Sequence, residues 1–194
     1  GNLWIATAGG VSKFNGDKFT NYSKKNGLAD NSAVQIIQYN NYIWIATKHG
    51  ITRIRDKQVI TLNLLDYSNG DPINNIVFDK KGNLYIADRN NNRIRVVDKL
   101  GMIRTVAGTG QQDYNGDSEV ARETNLYLPF GLTIASNNDL LVIDRSHYRI
   151  RRIDPKSGEV ETVAGNGLKL FAGDGGPATG ATLSFPHGMC VDKD

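Results

Sequence analysis

The stretch Gly82–Gly108, GNLYIADRNNNRIRVVDKLGMIRTVAG, decides the fold. It contains the three short apolar runs LYIA, IRVV and IRTV, and each run has about the length of one β-strand. Asn, Asp and Gly residues separate the runs at 88–92 and 98–101, as tight chain reversals require. The pattern predicts a three-stranded meander, and Ile76–Phe78 just before it offers a fourth strand.

The same pattern recurs along the whole chain. Four segments align at Trp4, Trp44, Tyr85 and Leu141, which are 40, 41 and 56 residues apart. Each segment is followed by one more short apolar run, and the last three are also preceded by one. The chain is therefore predicted to consist of units of four strands.

Four-stranded units with this period predict an all-β chain folded as a β-propeller of four-stranded antiparallel blades. The chain is expected to form a single propeller domain or a fragment of one. The predicted blades span about 187–194 together with 1–22, 33–63, 74–107 and 130–164. The first of these combines strands from both ends of the chain, which would hide two sheet edges. The four visible blades fit either a ring closed in this way or an arc of a larger propeller.

Two sets of repeats resemble known propeller families. Residues 73–194 resemble NHL repeats, through NLYIADRNNNRIRVVD at 83–98, VAGTG at 106–110 and GDGGPATGATLSFPHGMCVD at 173–192. Residues 1–62 resemble the propeller repeats in sensor regions of two-component regulators, because the run W-I-A-T-x-x-G-[VI]-x-[KR] occurs there twice. Both resemblances imply a propeller, and neither fixes a function.

Composition limits the class of protein. The net charge of +3 is too small to argue for nucleic acid by itself. No apolar run approaches the roughly 18 residues that a transmembrane helix needs, so no membrane insertion of this segment is expected. The absence of an initiating Met predicts an excised or processed piece. The single cysteine, Cys190, lies in an apolar pattern that predicts a small buried side chain.

Asp88 and Arg93 occupy the same places in one unit as Asp144 and Arg149 in the next. One interpretation is a charged binding surface. We favour a structural Asp–Arg pair that fastens the turn between the second and third strands, since the first two units have Thr at the Asp position.

Eight arginines are concentrated in the third and fourth units. They are Arg89, Arg93, Arg95, Arg104, Arg145, Arg149, Arg151 and Arg152. The NHL resemblance implies RNA binding as one function, which would need basic side chains on one surface with aromatic rings for base stacking. Strand alternation places Arg151 and Arg152 on opposite faces, and Tyr148 is the only aromatic residue nearby. Nucleic acid is therefore disfavoured as a partner.

Two candidate metal sites are also disfavoured. Propeller lyases that resemble NHL proteins hold zinc with histidines at the start of inner strands, where His187 lies. Zinc needs about three converging protein ligands, but the equivalent positions include Phe130 and Ile73. The run 113–119 has the acidic spacing of a calcium loop. Its counterpart 57 residues later shares only one Gly and one Asp with it, which indicates turn chemistry.

We therefore expect a non-catalytic propeller that presents loops from one face to a ligand or partner. In the usual propeller arrangement, the loops between second and third strands share this face with the loops that link blades. No catalytic residue, metal or cofactor is predicted. The candidate binding residues are Lys48, His49, Arg89, Asn91, Tyr114, Arg145, His147, Tyr148 and Phe171.

The expected partner is a protein or a small ligand, with a glycan among the options, and assembly with further blades is a further expectation. The regulator-type units favour a bacterial sensor in an extracellular or periplasmic location. Two other function classes stay open. One is a fragment of a metal-dependent lyase or hydrolase whose active-site residues lie in other blades, and the other is an RNA-binding NHL domain.

Overall fold

The computed structural model describes residues 1–62, 73–118 and 120–192. These residues form short β-strands and single-turn 3₁₀ helices. The strands are β1 (Leu3–Thr7), β2 (Gly10–Phe14), β3 (Phe19–Tyr22), β4 (Ala33–Tyr39), β5 (Tyr42–Thr47), β6 (Gly50–Arg55), β7 (Gln58–Leu62), β8 (Ile73–Phe78), β9 (Leu84–Asp88), β10 (Arg93–Val97), β11 (Ile103–Ala107), β12 (Pro129–Ile134), β13 (Leu140–Asp144), β14 (Arg149–Ile153) and β15 (Val160–Ala164). The 3₁₀ helices are Lys24–Asn26, Ala121–Glu123, Arg145–His147 and Ala178–Gly180. The predicted all-β class is confirmed.

The strands form antiparallel sheets in which each strand pairs with its neighbours along the chain. The β4–β7, β8–β11 and β12–β15 sheets have four strands each, and β1–β3 form a sheet of three. These sheets are the blades of a β-propeller, as the repeat pattern predicts. The chain divides into two compact units, Gly1–Ile76 and Val77–Asp194, and the boundary falls within β8.

The first unit has an apolar core that combines side chains of both its sheets. Val11, Ile45 and Ile54 are almost completely buried there. Trp4 and Tyr22 pack against them, with their rings stacked at a centroid distance of 5.6 Å. The predicted blade at 33–63 corresponds to β4–β7, and residue 63 lies outside the described residues.

The second unit shows most clearly how sequence pattern becomes blade structure. All five residues of β9, LYIAD, are buried. In β10, Ile94 and Val96 are fully buried, whereas Arg93 and Arg95 on the opposite face are half-buried. Side chains alternate across a strand, so the apolar residues of β10 join one core that extends to β12–β15.

Gly108 starts the loop that links the β8–β11 sheet to β12, and this loop crosses the β9–β10 turn at close range. A Cβ on Gly108 would collide with the carbonyl oxygen of Asn92 and would lie 2.9 Å from the Cα of Arg93. Gly108 also has a φ of +96°. Only glycine tolerates both conditions. Gly165 meets the same conditions one repeat later, which explains the repeated V-A-G-x-G run.

Arg149 also fastens a linking loop to a turn. Its guanidinium donates to the carbonyl of His147 at 2.9 Å and to the carbonyl of Asn166 at 2.9 Å. Arg93 makes the equivalent pair of hydrogen bonds in the sheet before. The predicted Asp–Arg pairs are therefore wrong. Arg149 opposes Asp144 across the sheet, but its long side chain passes the carboxylate and reaches the loop carbonyls.

Asp144, at the end of β13, instead forms the centre of a buried ionic network. Its Oδ2 accepts from Nη1 of Arg151 at 3.2 Å and contacts Nδ1 of His147 at 2.9 Å. Its Oδ1 accepts the backbone N–H of Tyr127 at 2.8 Å. Arg151 also donates to Asp117 at 2.9 Å. Buried charges are stable only when they are paired in this way, so the network holds the preceding loop on the blade.

The predicted strand at 187–194 is not formed over its described part. Residues 187–192 belong to no strand, and the described residues of the blade predicted from 187–194 with 1–22 form only the sheet β1–β3. A strand needs a partner for its backbone N–H and C=O groups. The equivalent stretch one repeat earlier is β12, which pairs with β13. Cys190 is accordingly exposed rather than buried.

Gly108→Ala is expected to destabilise the protein by about 2–4 kcal/mol, because strain at positive φ adds to a backbone collision. Gly101→Ala is the matched control, since Gly101 has a φ of +82° but no atom within 4 Å of its Cβ position. The control should lose only about 1–2 kcal/mol. Urea titration gives the free energy of unfolding of both variants. Equal losses would contradict the claim that the close approach requires Gly108.

Arg151→Met is expected to cost about 3–5 kcal/mol, since it leaves the carboxylate of Asp144 buried without its cationic partner. The adjacent Arg152→Met is the control. The Arg152 side chain is 40% exposed and pairs with Glu161 at 3.0 Å, and exposed pairs contribute about 0–1 kcal/mol. Thermal and urea unfolding of both variants measure the difference. Similar losses of unfolding free energy in the two variants would contradict the claim that the buried network contributes more to stability than the exposed ion pair.

Candidate functional site

The turn between β13 and β14 positions three of the predicted binding residues. The chain leaves β13 at Asp144, makes the single 3₁₀ turn Arg145–His147, and enters β14 after Tyr148. Tyr148 has a φ of +53°, which reverses the chain direction. This conformation separates the side chain of His147 from those of Arg145 and Tyr148.

Arg145 lies between two aromatic rings at the surface of the second unit. The guanidinium carbon is 5.3 Å from the ring centroid of Phe130 and 5.1 Å from that of Phe185. Its Nη2 donates to Nε2 of His187 at 3.2 Å. The Nε of Arg145 is buried without a hydrogen-bond partner. The structure thus holds the cation in a fixed place and leaves part of its donor capacity unused.

Two further side chains complete this arrangement around the ring of Phe185. The Tyr148 ring meets it edge-on at 5.2 Å, and Nζ of Lys169 lies 4.5 Å from its centroid. We call this set of side chains the Arg145 cluster; it comprises Phe130, Arg145, Tyr148, Lys169, Phe185 and His187. Among the described residues, no carboxylate lies within 4 Å of the nitrogens of Arg145 or Lys169. The cluster is therefore a cationic patch with aromatic walls.

His147, by contrast, is structural. It is 7% exposed, and its Nδ1 contacts Asp144 while Nε2 lies 2.9 Å from the carbonyl oxygen of Gln112. The ring of Tyr114 packs edge-on against it at 5.4 Å. The guanidinium of Arg149 lies 3.8 Å from the centroid of the same Tyr114 ring. His147 and Tyr114 thus contact each other where the loop that carries Tyr114 packs on the β13–β14 turn.

The equivalent turn between β9 and β10 holds Arg89 and Asn91. The Asn91 amide donates to Oδ1 of Asp88 at 2.8 Å. Arg89 is half-buried, and its Nε is buried without a hydrogen-bond partner, as in Arg145. Arg89 is therefore a second candidate cation of the same type, at the same place in the preceding repeat.

Lys48 and His49 belong to the first unit and are both exposed. Nδ1 of His49 lies 3.2 Å from Oδ2 of Asp30. The backbone N–H of Ser32, which donates to Asp30 at 2.8 Å, lowers the pKa of this carboxyl, and His49 adds to the effect. Phe171, in the second unit, is 86% exposed and lies outside the Arg145 cluster.

The environment of His187 bears on the zinc hypothesis. A metal-binding imidazole offers a nitrogen lone pair, but the Nε2 of His187 accepts from a guanidinium that is always charged. No group of three His, Cys, Asp or Glu residues that could hold a metal ion occurs in the described part of the chain. In the same part, no helix is long and apolar enough to cross a membrane.

Sequence reasoning missed Lys169 and Phe185 as members of the cluster. A signal for Phe185 exists in the repeat, because Phe185-Pro-His187 corresponds to Leu128-Pro-Phe130 at the 57-residue offset. In the first copy the triplet spans the start of β12, so its first residue, and by the repeat Phe185, could be predicted to lie on the loop face. Lys169 has no comparable signal, since its place depends on the path of an irregular loop.

A separate cleft of about 390 Å³ lies at the β14–β15 turn of the second unit. Its lining includes Arg104, Arg122 and Lys156 together with Asp154. The backbone N–H of Lys156 lowers the pKa of Asp154, which therefore stays ionised beside these cations. The mixed charges distinguish this cleft from the purely cationic Arg145 cluster.

The family model of the NHL repeat matches residues 74–97, which extend from β8 through β10. Human NHL repeat-containing protein 2 is 35% identical to this chain over 111 residues, which cover 56% of this chain and 14% of that protein. The chain spans between 11% and 16% of the length of the curated relatives that it matches.

Solved structures share the fold over most of the chain. A structural genomics protein of Bacteroides thetaiotaomicron has a TM-score of 0.74 at 16% identity, covering 96% of this chain and 50% of that chain. The extracellular domain of the hybrid two-component system BT4673 from B. thetaiotaomicron has a TM-score of 0.61 at 12% identity, covering 91% and 21%. Virginiamycin B lyase from Staphylococcus aureus, in an inactive form with quinupristin, has a TM-score of 0.61 at 22% identity, covering 84% and 51%. The chain therefore has a β-propeller fold and carries an NHL repeat at residues 74–97.

Proposed function

We propose that this chain is a non-catalytic, ligand-sensing propeller that binds an anionic group at the Arg145 cluster. The observation that carries the proposal is the position of the Arg145 guanidinium between two rings, with no carboxylate within 4 Å of its nitrogens among the described residues. A ligand carboxylate, sulfate or phosphate would supply the anionic acceptor that this cation lacks.

The chemistry of the cluster narrows the class of ligand. Arginine binds planar oxyanions through paired hydrogen bonds, which gives direction as well as affinity. Lys169 adds a second positive charge beside Phe185. The aromatic faces of Phe130 and Phe185 suit a flat or apolar ring next to the anion. An acidic sugar or a small carboxylated ring offers both an oxyanion for the two cations and a ring for the aromatic faces. An acidic side chain of a partner protein offers only the oxyanion.

Nucleic acid fits this surface less well, because at least four of the eight arginines are engaged elsewhere. Arg93 and Arg149 hydrogen-bond to loop carbonyls. Arg151 is fully buried, and Arg152 pairs with Glu161. Phosphate-backbone binding depends on many cations that are free to reach one strand. A small anionic ligand requires only the Arg145 cluster.

A sensor function is also in keeping with the regulator-type repeats of residues 1–62. The BT4673 structure, an extracellular domain of a two-component system, shares this fold, and it supports an extracellular or periplasmic location as part of the proposal. Virginiamycin B lyase shares the fold to the same extent, but fold does not determine activity. The bonding of His187 to Arg145 favours the binding interpretation over metal-dependent catalysis.

Arg145→Ala is expected to weaken binding of an acidic oligosaccharide or aromatic carboxylate by about tenfold or more, because charge-assisted bonds contribute about 1.5–3 kcal/mol. The probes are uronic-acid oligosaccharides, sulfated oligosaccharides and benzoate, titrated by calorimetry at low salt. Arg104→Ala is the control, since Arg104 lies in the separate cleft. The Arg104→Ala variant should bind the same probes with an affinity within about twofold of that of the wild-type protein.

Mass spectrometry of the probes after incubation distinguishes sensing from catalysis. Unchanged probes together with loss of binding in Arg145→Ala would support the proposal. Equal losses in both variants would indicate non-specific charge attraction, and conversion of a probe would contradict a non-catalytic role. Failure of every probe to bind wild-type protein would count against an anion site at the cluster.

A further inference from the structure

The cleft of about 390 Å³ in the second unit is formed by two neighbouring sheets and the loop that joins them. Its lining comes from strand β11 at 104–106, from the loop between β11 and β12 at 120–122, and from the end of β14 with the β14–β15 turn at 153–158. We call it the Arg104 cleft. It shares no residue with the Arg145 cluster, so a ligand of this cleft is a different one from the anion proposed above.

Strand β11 offers an open edge to this cleft. It is the outer strand of its sheet and pairs with β10 alone among the described strands. The following loop closes on the strand only past its end, where the N–H of Gly108 donates to the carbonyl of Ala121. In the described part of the chain, no backbone group from outside the sheet bonds to residues 103–106. An edge strand presents unpaired N–H and C=O groups, so β11 can accept one further strand.

Three cations surround the cleft. Arg104, Arg122 and Lys156 are all exposed. Within the described residues, none of them has a carboxylate within 4 Å of its nitrogens. The described lining has one carboxylate, Asp154, whose Oδ1 accepts the backbone N–H of Lys156 at 2.7 Å. The cleft therefore carries more positive than negative charge.

Arg104 is not required for its blade to form. The registers of the four sheets, counted from their aligned second-strand residues, place Glu161 at the equivalent position of the next sheet, where it binds Arg152 at 3.0 Å. The two sheets of the first unit have Thr20 and Ile60 there. A blade thus forms with a hydroxyl, apolar or acidic side chain at this position, and an arginine without an acidic partner points to binding.

Exposed apolar side chains accompany these cations. Val120 lines the cleft and is 43% exposed. Met102 is 66% exposed and lies two residues before Arg104, so strand alternation places both on the same face. Leu100, at the tip of the β10–β11 turn, is 89% exposed. Apolar side chains exposed together at one place mark an interaction surface.

We propose that the Arg104 cleft binds an acidic segment of a partner protein, which lies extended along the outer edge of β11. The backbone of the segment pairs with the free N–H and C=O groups of residues 103–106, as in other cases of strand addition. Its carboxylates bind Arg104, Arg122 and Lys156, and its apolar side chains pack on Val120 and Met102. Charge complementarity of this kind selects the partner and speeds association.

A compact anion fits this cleft less well than a peptide does. The three cations belong to three separate stretches of chain, and Asp154 lies among them and repels a concentrated negative charge. An extended segment can place its carboxylates beside the cations and an uncharged residue beside Asp154. Nucleic acid would leave the open edge of β11 unused, because phosphates and bases do not continue a β-sheet.

The probe is a fluorescent peptide of about eight residues, the length of a strand with short overhangs, in which glutamate and valine alternate. Its affinity for the wild-type protein is measured by fluorescence anisotropy at low salt. Arg104→Glu is expected to weaken binding by about tenfold or more, since it reverses the charge at the centre of the cleft. The equivalent residue Glu161 shows that a strand accepts this side chain.

Lys57→Glu is the matched control. Lys57 is exposed on the β6–β7 turn of the first unit, and its substitution changes the net charge of the protein by the same amount. This variant should bind the peptide with an affinity within about twofold of that of the wild-type protein. Equal losses in Arg104→Glu and Lys57→Glu would indicate non-specific charge attraction and would overturn the proposal.

Two altered peptides test the mode of binding on the wild-type protein, so they do not depend on how any variant folds. A lysine–valine peptide of the same length should not bind. The glutamate–valine peptide with a fully N-methylated backbone keeps its carboxylates but cannot donate backbone hydrogen bonds, and should bind about tenfold more weakly or worse. Equal affinity of the N-methylated and unmethylated peptides would overturn the strand addition.

Amide hydrogen exchange locates the bound peptide. Exchange at residues 103–106 is expected to slow by about tenfold or more in the complex, because their outward N–H groups become hydrogen-bonded. Protection at 145–148 instead, or loss of peptide binding in Arg145→Ala but not in Arg104→Glu, would place the peptide at the Arg145 cluster and overturn the proposal. Failure of the peptide to bind, or tighter binding of a single-stranded oligonucleotide at the cleft, would also overturn it. None of these outcomes decides whether small anions bind at the Arg145 cluster, which the calorimetric titrations measure.

Discussion

The buried guanidinium of Arg151 joins three stretches of chain that are far apart in sequence. It donates to Asp144 at the end of its own sheet and to Asp117 and the carbonyl of Gly116 in the loop between β11 and β12. Asp117 in turn binds Thr162 on β15. An unpaired charge at such a site would be strongly destabilising. The loop therefore cannot leave the blade without exposing unpaired charges, and this constraint holds Tyr114 and Asp117 against the blade.

The β13–β14 turn consequently has two faces with different purposes. His147 and Arg149 make their hydrogen bonds to carbonyl groups of the linking loops, at Gln112 and Asn166 respectively. Arg145 and Tyr148 point toward Phe185 and remain partly accessible. The turn is held rigidly by the first pair, so the second pair is presented in a fixed geometry. Preorganisation of this kind reduces the entropy that a ligand must overcome on binding.

The sequence predicted the strands well because apolar runs of period two and Asn, Asp and Gly turns are local signals. The burial of Ile94 and Val96 between half-buried arginines follows directly from alternation. The partners of the arginines did not follow, since an Arg side chain reaches past the residue opposite it to loops whose path has no periodic signal. The same limit applies to Lys169 beside Phe185. The strand expected at 187–194 is absent over its described part, 187–192, for a different reason, because pairing depends on a partner that its own sequence does not specify.

Comparison of the repeats separates the parts of the site that are structural from those that could give specificity. Arg89 and Arg145 occupy the same turn position, and the Nε of each is buried without a hydrogen-bond partner. Their surroundings differ, because the positions of Phe130 and Phe185 are taken by Ile73 and Leu128 one repeat earlier. A guanidinium alone attracts any anion, whereas aromatic faces beside it favour an anion attached to a flat or apolar group. Both turns thus carry the cation, but only the turn of Arg145 has aromatic rings beside it. Selectivity among anionic ligands is therefore expected to depend on Phe130 and Phe185 rather than on the arginine.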